Sequence, residues 1–212
     1  MAESEGPLIR VRVTNEIVTY LHNDLADAAW LFRERINTKS NPDGAPTGGF
    51  LDVIAAVTML AFALEGYSNF LCERVLKPGG WDERDSVVKK IKAVARALNY
   101  TPDWNKHPYA TSRRLIDLRH GLAHPRPIRL ENTEWEEVGR EPELRKALRE
   151  YEPAIVLQLT PAFVNEAYLA VEAIWSELLS KAGIGLHETW SGGSQGLEYL
   201  GDAETDADSG LT

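Results

Sequence analysis

The chain has 212 residues, of which 43% are apolar and 26% charged, a composition that fits a globular domain with a sizeable core. The single cysteine, Cys72, excludes an internal disulfide and fits a reducing compartment. The net charge is −9, and six acidic residues without any lysine or arginine lie between Leu186 and Thr212. The nearly neutral remainder argues against strong nonspecific binding of duplex nucleic acid but is compatible with a small, specific RNA site.

The start of the chain is acidic and lacks the basic and apolar regions of a signal peptide. The longest apolar run, Val53 to Leu64, is too short to span a bilayer. These two features predict a cytoplasmic protein that does not enter a membrane.

Apolar residues recur at helical spacing along most of the chain and predict an all-α fold. The expected helices run from about Asn15 to Ile36, Phe50 to Leu76, Asp82 to Leu98, Pro108 to His124 and Thr160 to Lys181. Four long helices joined by connections of modest length are typical of a four-helix up-and-down bundle.

The bundle is expected to occupy residues 15–184, after an N-terminal extension of residues 1–14. Residues 125–160 are predicted to form a short irregular α/β insert before the last helix. In this insert, residues 128–130 and 155–159 have the pattern of short strands, and residues 143–151 that of a charged helix. Residues 185–212 are rich in glycine, serine and aspartate and are expected to form a disordered acidic tail.

The helix that ends at His124 concentrates cationic and imidazole groups. At about 100° per residue, one narrow polar stripe of this helix contains four side chains. They are Arg113, Asp117, His120 and His124. Arginine binds phosphate or carboxylate through a rigid fork of donors, and histidine moves protons near neutral pH. The stripe therefore makes this helix a candidate catalytic edge.

Arg119 lies off this stripe, between two apolar flanks of the same helix. An unpaired charge in such a position costs several kcal/mol. We therefore expect a partner for Arg119, either a carboxylate from another helix or an anionic ligand. Pro125 disfavours helical backbone at the preceding residue, so the helix is expected to end at Ala123 or His124.

The segment Leu118-Arg119-His120-Gly121-Leu122-Ala123-His124-Pro125 resembles the signature of the HEPN superfamily, in which an arginine, a polar residue and then a histidine form an Arg-x(4–6)-His motif near a helix end. The alanine-rich segment Val53 to Glu73 extends the resemblance, because HEPN helices often carry a similar glutamate-containing stretch. The same spacing is also met by Arg114 with His120 and by Arg113 with His120. Many members of the superfamily are metal-independent endoribonucleases of toxin–antitoxin, defence or RNA-processing systems, and others are non-catalytic.

The resemblance implies roles for the motif residues. Arg119 would hold the scissile phosphate, and His124 would be the general acid or base at the ribose 2′-hydroxyl or the leaving oxygen. His120 would assist. The resemblance also implies an RNA substrate, a 2′,3′-cyclic phosphate product, no cofactor or metal, a homodimer with facing motif helices, and a cognate antitoxin or other partner protein.

Further residues are expected to support this site. Glu65 is the predicted carboxylate that orients Arg119, and Asp117 and Asp52 are weaker choices. A separate set of cations is predicted to bind the substrate: Arg113, Arg114 and Arg126.

Two alternatives stay open on the residues alone. His120 and His124 are an i, i+4 pair that zinc sites use, with Asp117 one turn earlier as a further ligand, although the HExxH pattern is absent. Alternatively, the chain is a non-catalytic helical dimerisation or interaction module in which Arg119 forms a structural ion pair.

Several other residues are expected to have structural or solvated positions. Cys72 and His22 are predicted to be structural, with Cys72 a buried thiol, and the lysine run is predicted on a solvated face. The run comprises Lys89, Lys90 and Lys92, and the tryptophans expected in the core are Trp81, Trp104, Trp135 and Trp175.

Overall fold

The computed structural model describes residues 9–38, 49–128, 138–144 and 152–202, and it is mostly helical. Within this part, two strands are β1 (Ile9–Val18) and β2 (Gly192–Asp202). The α-helices are α1 (Leu21–Thr38), α2 (Gly49–Val75), α3 (Val87–Ala97), α4 (Tyr109–Ala123), α5 (Ala154–Gln158) and α6 (Pro161–Ala182), and a 3₁₀ turn covers Leu186–Thr189. The chain divides into a helical unit, Leu21–Glu188, and a ribbon unit made from the segments before and after it.

The ribbon unit contains an antiparallel pair of strands, so the all-α prediction was incomplete. Opposite Val13 on β1 lies Leu197 on β2, and opposite Arg12 lies Glu198, with 2.7 Å between Arg12 Nη1 and Glu198 Oε2. Alternate residues of a strand point to opposite faces, so the ribbon has an apolar face and a polar face.

Two predictions were wrong in this ribbon. Residues 15–18, expected at the start of the first helix, are in β1, and residues 192–202, expected in the disordered tail, form β2. The alternation of Val11, Val13 and Ile17 with polar residues has the period of two of a strand. Ile17 also lies at helical spacing from Leu21, which is why the prediction begins the first helix at about Asn15. Residues 203–212 lie outside the described residues.

The helical unit is built around α2, which packs against α1, α3, α4 and α6. Its thirteen buried residues include Leu60, Leu64 and Leu71. Helix α2 is also long and apolar enough to cross a membrane. The core helix of a soluble protein can have the same length and composition, so this is weak evidence for a membrane span. Helix α6 in turn contacts α1 and α4, so these helices share one core.

Local capping signals explain where the helices begin and end. The Thr160 hydroxyl accepts the N–H of Phe163 at the start of α6, and Gly183 ends that helix with a φ of 67°. The Ser86 hydroxyl accepts the N–H of Lys89, which starts α3 at Val87 instead of the predicted Asp82.

Two stretches in the described part of the predicted insert are helical, residues 141–144 and 154–158, and the second corrects the expected strand at residues 155–159. Pro153 precedes the single turn of α5 and has an extended backbone. Residues 141–144 are helical and overlap the predicted charged helix, residues 143–151, at residues 143–144. The predicted strand residues 129–130 and the remainder of that helix, 145–151, lie outside the described residues.

Lys90 is almost completely buried, which contradicts the solvated position predicted for it. Its Nζ donates to Asn69 Oδ1 and to the Glu83 carbonyl, each at 2.7 Å, and lies 5.5 Å from the centre of the Trp81 ring. These contacts satisfy the ammonium where water is excluded.

The other structural assignments have mixed outcomes. Cys72 is buried as predicted, and its desolvation raises the pKa of the thiol to about 11. Trp175 is buried, whereas Trp81 and Trp104 are only half-buried; Trp135 lies outside the described residues.

Two glycines mark close approaches between helices and give opposite predictions. A Cβ on Gly66 of α2 would lie 2.6 Å from Cβ of His22, so Gly66→Ala is expected to lower the free energy of unfolding by about 1–3 kcal/mol. A Cβ on Gly121 would meet only the tip of Ile155, at 2.7 Å. That tip can rotate away, so Gly121→Ala is expected to raise the free energy of unfolding by about 0.5–1 kcal/mol, the usual gain over glycine in a helix. Urea unfolding of both variants measures these changes, and equal signs would contradict the packing described.

Candidate functional site

Helix α4 carries the motif and is anchored at its beginning to α6. The hydroxyl of Tyr109 donates to Glu177 at 2.9 Å, and the hydroxyl of Thr111 donates to Glu166 at 2.7 Å. Leu115 and Leu118 are buried beneath the helix. This packing leaves the predicted polar stripe on the outer surface.

Helix α4 ends at Ala123, as Pro125 predicted. His124 has a φ of −125° and a ψ of 61°, outside the helical region, while its N–H still donates to the His120 carbonyl at 3.1 Å. His124 is therefore the first residue outside the helix, although its backbone is still bonded to the last turn.

Arg119 has the carboxylate partner that its position predicted. Its Nη2 lies 3.7 Å from Glu65 Oε2 on α2, and its guanidinium carbon lies 4.7 Å from the centre of the Phe62 ring. Asp52, the weaker choice, pairs instead with Arg35 at 3.1 Å. The two charged side chains of the Arg119–Glu65 pair remain 31% and 40% exposed, so a ligand in solution has access to them.

The Arg119–Glu65 pair is loose. A distance of 3.7 Å exceeds that of a charge-assisted hydrogen bond, and the guanidinium makes no hydrogen bond within the part of the chain that the structure describes. A half-exposed pair of this kind contributes at most about 1 kcal/mol to stability. Glu65 and the Phe62 ring thus restrict where the guanidinium lies, while its donors remain available to an anion.

His120 and His124 form an exposed pair at the end of α4. Their ring centres are 4.8 Å apart and the ring planes are tilted by 57°. Over the described ranges, neither ring has a hydrogen bond or a carboxylate partner. Both imidazoles are therefore open to solvent and to a substrate.

The structure does not bring Arg119 into contact with either histidine within one chain. On a helix, Arg119 and His124 are about 140° apart, and Arg119 faces α2 while the histidines follow the outer stripe. No ion pair or hydrogen bond joins them among the described residues. If an arginine and a histidine act on one phosphate, one of them must therefore come from another chain. Otherwise, the substrate must bridge the two faces of α4.

Two of the predicted substrate-binding cations, Arg113 and Arg114, lie with Asp117 on the side of α4 opposite Arg119. Arg113, Arg114 and Asp117 line a groove of about 580 Å³, with Gln158 of α5 on its far wall. The Nε of Arg114 donates to Gln158 Oε1 at 2.9 Å, and its guanidinium carbon lies 4.4 Å from the centre of the Phe163 ring. Arg126 is exposed after the helix, away from this groove.

The metal alternative gains no support from these positions. No group of three or more histidine, cysteine, aspartate or glutamate side chains is arranged to hold a metal ion within the described ranges. Asp117 precedes His120 by less than one turn, yet the three side chains do not converge.

Sequence reasoning missed two aromatic residues at these surfaces. Phe62 precedes Glu65 by three residues and so shares its face of α2, which is a signal that the sequence contains. Trp104 was assigned to the core but lines the groove of Arg113 and Arg114, and nothing in its immediate sequence indicates this.

Comparisons with family models, with curated proteins and with solved structures found no match to this chain.

Proposed function

We propose that the protein is a metal-independent endoribonuclease of HEPN type, with the Arg119–Glu65 pair as the observation that supports the proposal best. An arginine in an otherwise apolar arc of a helix is restrained by a carboxylate and a ring, yet its donors are not consumed. This arrangement suits an arginine that binds a phosphate, and it is followed at the helix end by two exposed imidazoles.

The proposed fold is a HEPN-like bundle in which α1, α2, α4 and α6 are the four principal helices and α3 is an addition beside α2. The proposed assembly is a homodimer with the two α4 helices facing each other. Arg119 and His124 of one chain face in different directions. In the proposed dimer, one site therefore combines groups from both copies. The protein is placed in the cytoplasm, as a toxin or defence effector with a cognate antitoxin or other partner protein.

The proposed chemistry is a transesterification. The ribose 2′-oxygen attacks phosphorus as a base removes its proton, and the bond from phosphorus to the 5′-oxygen breaks as an acid protonates that oxygen. The products are a 2′,3′-cyclic phosphate and a 5′-hydroxyl. Arg119 stabilises the negative charge that develops on the phosphoryl oxygens, and His124 transfers a proton, with His120 assisting.

The test is an RNA cleavage assay in EDTA with the wild type, Arg119→Ala, His124→Ala and a matched control. Arg74→Ala is the control, because Arg74 pairs with Glu188 in the same unit at nearly the same exposure. We expect cleavage with cyclic-phosphate ends by the wild type and the control, and at least about a hundredfold less by the other two. Cleavage only with divalent metal would contradict the proposal.

A non-catalytic interaction module is the second candidate, and it is favoured because no ion pair or hydrogen bond joins Arg119 to the histidine pair among the described residues. In that case the ion pair only joins α2 to α4. An inert wild type on all RNAs, with every variant folded and dimeric, would identify this module.

A further inference from the structure

The four cations that line two neighbouring grooves lack carboxylate partners. Over the described residues, eight other lysines and arginines each pair with an acidic side chain within 4.0 Å. None of those pairs involves Lys92, Arg96, Arg113 or Arg114. Six further described lysines and arginines also lack an acidic partner, so what sets these four apart is that they line the two grooves. A cation that lines a concave surface and is not neutralised by a carboxylate can bind an external anion.

The two grooves meet at Trp104. The α4 groove, about 580 Å³, contains Arg113 and Arg114, and the α3 groove, about 600 Å³, contains Lys92 and Arg96. Trp104 lines both. The grooves therefore place two cations on each side of one half-buried indole.

The indole of Trp104 is in contact with a second aromatic ring and is approached by a cation. Its ring centre lies 5.3 Å from that of Tyr109, whose hydroxyl is bonded to Glu177, so the platform is fixed to α4 and α6. The Lys92 ammonium lies 5.5 Å from the ring centre. A flexible ammonium can yield to a base and move to the adjoining phosphate.

We infer that the α3 groove, Trp104 and the α4 groove form one path for single-stranded RNA, in which a base stacks on Trp104 and phosphates on either side contact Lys92 with Arg96 and Arg113 with Arg114. This inference rests on the proposed ribonuclease function for the identity of the ligand. Alternating cations and an aromatic platform are how sequence-tolerant binders hold single strands. A duplex conceals its base faces and gains nothing from the indole.

The path leads to the histidine pair. Arg113 and Asp117 of the α4 groove begin the polar stripe that continues to His120 and His124. At 1.5 Å per residue, Arg113 and His124 are about 16 Å apart along the helix. A strand that leaves Trp104 along α4 therefore reaches the imidazoles. Asp117 is the single carboxylate that lines the two grooves, against four cations.

The test measures binding separately from cleavage. The probe is a fluorescent 2′-O-methyl RNA of about 12 nucleotides, within the usual range of site sizes for single-strand binders, and it cannot form the cyclic phosphate. Its affinity is measured by anisotropy across a salt series, as a single strand and as a duplex. The variants are K92Q/R96Q, R113Q/R114Q and Trp104→Leu. The matched control is K77Q/R84Q, which removes two exposed, unpaired cations from the α2–α3 loop.

The groove charge variants and Trp104→Leu are expected to weaken RNA binding in different ways. Each groove pair should reduce the slope of log affinity against log salt by about 1.4, which is two phosphate contacts at 0.7 each. Trp104→Leu should lose about tenfold in affinity with an unchanged slope, since stacking carries no charge. Trp104→Phe keeps an aromatic platform and should restore most of that loss, which separates stacking from a folding defect. The control should match the wild type.

The path is overturned if the control and the groove pairs change the slope equally, or if folded Trp104→Leu binds like the wild type. If the wild type cleaves unmodified RNA but no groove variant weakens binding, the path fails while the ribonuclease function stands. If binding follows the expected pattern and unmodified RNA is not cleaved, the path stands and the proposed catalysis fails.

Discussion

His124→Ala is expected to cleave RNA about a hundredfold or more slowly than the wild type, which is the usual contribution of a general acid or base. His120→Ala, by comparison, should lose less than about tenfold, because its proposed role is only to assist. The two rings are 4.8 Å apart and equally exposed, so each variant is the matched control for the other. The two residues differ in backbone conformation, since His124 lies outside the helical region whereas His120 is within α4.

The measurement is the single-turnover cleavage rate in EDTA over a pH series. Loss of one limb of the pH profile in His124→Ala identifies the proton that His124 carries. A larger loss of cleavage rate in His120→Ala would identify His120 as the histidine of the motif. Arg113 or Arg114 would then be the phosphate ligand in place of Arg119. Arg119→Lys distinguishes these cases, since lysine keeps the charge but not the fork of donors.

The protein is expected to lose about 3 kcal/mol of stability as the pH falls from 6.5 to 4, through one buried histidine. Burial among aromatic rings lowers the pKa of His22 to about 4, although Asp24 opposes this shift. The ring centres of Tyr67, Phe70 and Trp175 lie 5.1–5.6 Å away. In the unfolded chain the imidazole binds a proton near pH 6.5, whereas in the folded protein it stays neutral until about pH 4. The stabilisation is therefore complete above pH 6.5 and is lost as the pH falls to 4.

Urea unfolding at pH 7 and at pH 4 measures this loss, with His22→Phe as the control. Phenylalanine keeps an aromatic ring in the cluster and cannot take up a proton. Any cost of fitting its larger ring is the same at both pH values and cancels in the comparison. The carboxylates are common to both proteins, so the wild type should lose about 3 kcal/mol more than the variant. Equal losses would refute the assignment to His22.

The ends of the helices were predictable because their signals are local. Pro125 ends α4, and Thr160 with Pro161 begins α6. The partner of Arg119 was predictable for a similar reason: a charge in an apolar arc needs compensation, and α2 offers Glu65 as a carboxylate near the middle of its length. In each case a short stretch of sequence contains the physical cause.

Other features depend on contacts between distant residues. The strand β1 pairs with residues as many as 193 positions away, and no local pattern identifies that partner. The two grooves that Trp104 lines form only when α3, α4 and α5 have packed around it. Lys90, in contrast, was a missed signal, because its spacing from Val87, Ile91 and Val94 places it on the buried face of α3.

The pairing of β1 with β2 sets an order of events during translation. At 5–20 residues per second, the ribosome needs roughly 10–35 s to proceed from the end of β1 to the start of β2. Over that interval the backbone N–H and C=O groups of β1 have no strand to pair with, while the helices can already assemble. The ribbon thus closes last, and until then β1 is an unpaired strand edge with which another chain can pair.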